Sequence, residues 1–102
     1  MRKIESLMNS AIEAKSNWHS ANTQVCWDCS SQVSEVYLHG NLIARIGECF
    51  IQIFDGNFKS QTTKSRLHSI LQAHGNGQDK IYQKNYTWYV NDTAFQSGMY
   101  LN

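Results

Sequence analysis

The chain has 102 residues, a formal net charge of +1, three Trp, five Tyr and four Phe. A chain of that size makes one domain with one core, and its aromatic content excludes a disordered polymer. The near-neutral charge argues against an acidic nucleic-acid mimic, and against a protein that grips a polyanion by bulk charge alone.

Residues 1–17 predict a helix. Ile4, Leu7, Met8, Ala11 and Ile12 fall at i, i+3, i+4, i+7 and i+8 and form an apolar stripe, with Asn17 as the stop. Arg2, Lys3, Glu5, Glu13 and Lys15 lie off the stripe, and charges of both signs on that polar face argue against a membrane anchor. Glu5, Asn9 and Glu13 interrupt the apolar run, so this start does not read as a signal peptide. No window approaches membrane-spanning length. Three cysteines without a leader point to a reducing cytosol.

Residues 22–58 predict a meander of strands. Thr23, Val25 and Trp27 share one face of the first. Val36 and Leu38 then alternate with Tyr37 and His39. The pair Gly40-Asn41 reads as a two-residue hairpin turn, after which Leu42, Ala44 and Ile46 resume one face. Gly47-Glu48 is a second turn, and Cys49, Ile51 and Ile53 alternate as a further strand that ends at Asp55-Gly56-Asn57.

Residues 62–75 predict a second helix. Ser60, Thr62 or Thr63 supplies its N-cap oxygen, and Leu67, Ile70, Leu71 and His74 form its buried face. Gly75 is the left-handed residue that ends it, and Asn76-Gly77 completes the turn. Residues 80–91 predict one long strand. Tyr82, Lys84, Tyr86, Trp88 and Val90 occupy one face, and Ile81, Gln83, Asn85, Thr87 and Tyr89 the other. The tail adds a short edge strand through Phe95, Met99 and Tyr100. The expectation is a single α+β domain: an antiparallel meander sheet of four to five strands with two helices on one face.

Chemistry is harder to read. Cys26-Trp27-Asp28-Cys29 has a zinc-like spacing, with His19, His39 or Cys49 to complete a tetrahedron, but no second such pair exists. On a strand, residues i and i+3 point to opposite faces, so ordinary reduced cysteines are expected and no metal or cofactor. No serine or cysteine sits in a nucleophile motif, and Asp28, Asp55, Asp79 and Asp92 fall in turn-like settings. No catalytic residue is expected. A nucleic-acid surface has more in its favour. Thr62, Thr63, Lys64 and Arg66 surround a helix start suited to a phosphate. Lys84 lies on the strand that carries Tyr82, Tyr86, Trp88 and Tyr89, where bases can stack.

Several stretches resemble small tailed-bacteriophage proteins: Asn22-Thr23 with Val25, residues 37–44 (YLHGNLIA), residues 62–67 (TTKSRL) and Tyr82-Gln83-Lys84. The likeness covers roughly residues 18–90. The pattern has Asn where this chain has His68, and Cys26 and Cys29 lie outside it. The resemblance implies a phage source, and hence the cytoplasm of an infected bacterium. Together these readings lead to a non-enzymatic phage protein that binds and modulates a host bacterial protein, a takeover or anti-defence inhibitor. Tyr37, His39, Tyr82, Tyr89 and Trp27 are its expected contact residues, no membrane is involved, and a homodimer is left open. The alternative is a small nucleic-acid-binding module using Thr62, Thr63, Lys64, Arg66 and Lys84.

Overall fold

The computed structural model describes residues 2–57, 59–75 and 79–101. The expected Asn76-Gly77 turn and the end of the meander at position 58 lie outside them. The order is α1 (Lys3–Ala14), β1 (Trp18–Ser20), β2 (Thr23–Asp28), β3 (Val33–Leu38), β4 (Asn41–Ile46), β5 (Ile51–Ile53), α2 (Gln61–His74), β6 (Ile81–Lys84), β7 (Thr87–Val90), β8 (Thr93–Ala94) and β9 (Met99–Leu101). The strands make an antiparallel six-stranded sheet, β1-β2-β3-β4-β5-β9, and a three-stranded sheet, β6-β7-β8. The α+β class and antiparallel pairing stand as expected, and the strands are shorter and more numerous than the sequence suggests.

One core joins the parts. Met8, Ala11 and Ile12 of α1 and Leu67, Ile70 and Leu71 of α2 pack with Val25, Val36, Leu38, Ile43, Ala44, Ile51 and Ile53 of the larger sheet. Ile81, Trp88, Val90 and Phe95 bring the smaller sheet into the same cluster. The opposite face of the larger sheet carries Glu35, Tyr37, Leu42, Arg45 and Gln52, none of them fully buried.

Burial sets the register of the central hairpin. Its turn is His39-Gly40, both at positive φ, with Leu38 paired to Asn41. The expected Gly40-Asn41 turn is displaced by one residue. With that turn and regular pairing, core Val36 would face Arg45. A bulge between Val36 and Tyr37 makes the further adjustment: Ile43 and Ala44 both face the core, and Glu35 meets Arg45 on the open side. The bulge also breaks the expected Leu42/Ala44/Ile46 face. Cys49 is exposed and precedes β5.

Helix faces shift too. In α1, Leu7 is 44% exposed, while Glu5 and Asn9 are buried beside Met8, Ala11 and Ile12. The helix ends at Ala14, because Lys15 turns left-handed and its N–H bonds the carbonyls of Ala11 and Ile12. In α2, Ser60 is the cap: its Oγ accepts from the Thr63 N–H at 3.1 Å. Arg66 joins the buried face, and His74 lies at its margin. Gly75 has φ −85°, so it is not left-handed. Glycine is needed there because a Cβ would stand 2.6 Å from the Leu71 carbonyl oxygen.

Candidate functional site: an aromatic hairpin

The predicted single strand at 80–91 folds back on itself. Asn85 and Tyr86 both have positive φ, 53° and 66°, and Lys84 pairs with Thr87 around them, as in a two-residue primed turn. The fold-back pairs Tyr82 with Tyr89 and Ile81 with Val90. Residues that would lie on opposite faces of one strand therefore share a face. Trp88 and Val90 go to the core, with Trp88 edge-on to Phe95 at 5.4 Å. Tyr82 and Tyr89 stack outside it, centroids 5.6 Å apart and planes 20° from parallel.

Polar bonds hold the base of the hairpin. The Lys80 N–H donates to Asn91 Oδ1 at 2.8 Å, and Asn91 Nδ2 donates to Asp79 Oδ1 at 2.6 Å. The Tyr82 hydroxyl donates to Asp92 Oδ1 at 2.8 Å; this bond to a carboxylate raises the phenol pKa above its ordinary value. At the tip, Tyr86 is 96% exposed. A bulky residue at positive φ is rare, and glycine is the usual occupant of that place. Sequence reading placed Tyr86 inside a strand, because Asn-Tyr is not a turn signal.

The other expected contact residues lie elsewhere. Tyr37 sits half-buried on the open face of the larger sheet, its hydroxyl donating to Glu35 Oε1 at 3.3 Å. Burial and then the Glu35 charge push its pKa up. Glu35 also pairs with Arg45 at 3.6 Å, and Arg45 Nη1 donates to Gln52 Oε1 at 3.1 Å, so a polar row crosses β3, β4 and β5. His39 is exposed in the hairpin turn beyond Tyr37. Trp27 faces the helix side of β2, with Lys15 Nζ 5.6 Å from its ring centre. Of the five residues, Tyr82 and Tyr89 are brought into contact, and Trp27 is on the opposite side of its sheet from Tyr37.

The cluster at the start of α2 does not form one exposed surface. Thr63 and Arg66 are each 3% exposed. Arg66 Nη1 donates to Glu5 Oε2 at 2.8 Å, Ser65 Oγ donates to the same oxygen at 2.6 Å, and Arg66 Nε donates to Thr23 Oγ1 at 3.1 Å. Arg66 thus ties α2 to α1 and β2. Thr62 and Lys64 are half-buried, and Lys84 is exposed near the hairpin tip.

Cys26 is half-buried and accepts from Gln24 Nε2 at 3.3 Å, whereas Cys29 is exposed. Among the described residues no three His, Cys, Asp or Glu side chains are grouped to hold a metal ion. Among them also, no helix is long and apolar enough to cross a membrane.

Comparison with curated proteins and with solved structures finds no match. A family model does match, over residues 1–102, and it describes a phage protein, in agreement with the source that the residue pattern implies. The chain belongs to the Kyanoviridae Gp96 protein family.

Proposed function

We propose that this phage protein acts without catalysis, by binding and modulating a host bacterial protein, and that the β6–β7 hairpin is its principal contact. The carrying observation is Tyr86, 96% exposed at positive φ above the stacked Tyr82 and Tyr89. Backbone strain of this kind persists where surrounding structure enforces it and is found disproportionately at functional sites. Aromatic rings of low conformational entropy are the side chains on which protein interfaces concentrate their binding energy. Tyr37 and His39 would form a second contact on the open sheet.

The test is affinity capture from a lysate of the bacterial host, with and without nuclease, followed by binding of variants to the captured protein. Tyr86→Ala and Tyr89→Ala should each weaken binding by about 2 kcal/mol, as expected of interface hot spots. Lys64→Glu should change mainly the association rate and its salt dependence. Complete loss of capture after nuclease, with a steep salt dependence, would reject this function in favour of nucleic-acid binding.

A further inference from the structure

A cleft of about 300 Å³ opens where the C-terminal ends of α1 and α2 meet the β2–β4 end of the larger sheet. Trp27 forms one wall, and Ser34 and His74 lie with it; Glu13, Lys15 and Glu48 complete the charged lining. The volume falls at the small end for a ligand pocket. Among the described residues, one buried nitrogen here lacks what buried polar groups normally have, and one hydroxyl of the same lining is unbonded. Ser34 is 1% exposed, and among the described residues its hydroxyl makes no hydrogen bond. His74 Nε2 is buried and has no hydrogen-bond partner among them either. A buried nitrogen is expensive to leave unmatched, so its coincidence with an unbonded hydroxyl beside one cavity points to something that enters it.

We propose that this cleft binds an uncharged heteroaromatic ring of nucleoside size. Trp27 offers an indole for packing a flat ring, which would displace or share the Lys15 ammonium 5.6 Å from its ring centre. The Ser34 hydroxyl both donates and accepts, and a neutral imidazole offers one donor and one acceptor nitrogen, which suits the mixed edge of such a heterocycle. Charge sets the rest. Burial pushes the His74 pKa below its ordinary value, against the smaller opposing effect of Glu13, and so favours the neutral ring. Glu13 and Glu48 then outnumber Lys15, which disfavours a phosphate.

The experiment titrates the full isotope-labelled chain with adenosine, uridine, their 5′-monophosphates and a short single-stranded oligonucleotide, following amide and indole N–H resonances. The expected result is saturable shifts at Trp27, Ser34 and His74 with a nucleoside, and weaker binding of its monophosphate. Ser34→Ala removes one oxygen and little volume. It should weaken binding three- to tenfold, about the effect of one lost hydrogen bond, with the other resonances unmoved. No shift at the cleft with any compound at millimolar concentration would overturn the proposal, and so would unchanged affinity in Ser34→Ala. Tighter, salt-dependent binding of the oligonucleotide would overturn the assignment to a free uncharged ring and make a nucleic-acid strand the source. Host-protein capture through Tyr86 is independent of all these outcomes.

Discussion

Tyr86 holds a backbone conformation that opposes its own side chain, and this separates its effect on stability from its effect on binding. A left-handed conformation costs a residue with a Cβ roughly 1–2 kcal/mol, part of which glycine regains and part of which it loses to a freer unfolded chain. Tyr86→Gly should therefore stabilise the protein by about 0.5–1 kcal/mol in urea unfolding while weakening partner binding. A destabilised Tyr86→Gly would show that the ring contributes packing to this fold. His74 makes the second prediction at this scale. Burial lowers its folded pKa below the ordinary 6.5, so the unfolded chain takes up a proton first as pH falls. Stability should then be unaffected by this group well above pH 6.5 and should decline below it. Thermal melts at several pH values should show that decline reduced in His74→Gln. An unchanged profile would place the acid sensitivity elsewhere.

Between elements, a buried ion pair joins Glu5 in α1 to Arg66 in α2, both side chains 4% exposed. Asn9 adds a second link, donating to Ser69 Oγ at 2.9 Å. Removing one member of a buried pair leaves the other charge without its counter-charge, and this typically costs about 3–5 kcal/mol. Glu5→Leu and Arg66→Met should each lower stability by that order in denaturant unfolding. The double variant Glu5→Leu/Arg66→Met should recover much of the loss, because two apolar side chains leave no stranded charge. If the double variant is as unstable as the sum of the single changes, the charges act independently and are not coupled. A phosphate-binding role for Arg66 would give a different pattern, with little loss of stability on its removal.

At the scale of the molecule, Trp88 decides whether the small sheet belongs to the common core. It is 3% exposed and lies in one cluster with Val25, Ile53 and Leu71. Trp88→Ala should cost about 3–5 kcal/mol and leave a single cooperative transition. Two transitions would mean that β6–β8 unfolds alone. Both helices, the β2–β5 run and the α2 start were legible in the sequence, because each depends on local signals: apolar periodicity, glycine turns and a Ser/Thr cap. Which residues meet was not legible. Glu5 and Arg66, 61 positions apart, look like solvated charges until their two helices pack together. Leu38 to Ile46 alternates well enough to predict a hairpin, yet its turn and bulge follow from keeping Arg45 out of the core. For residues 80–91, alternation continued straight through the turn and hid it. The hairpin forms because Trp88 and Val90 are buried with Ile81, and that burial leaves Tyr82 and Tyr89 stacked outside. Local periodicity determined the elements. Their faces and partners were decided by burial against chain distant in sequence, which no local pattern encodes.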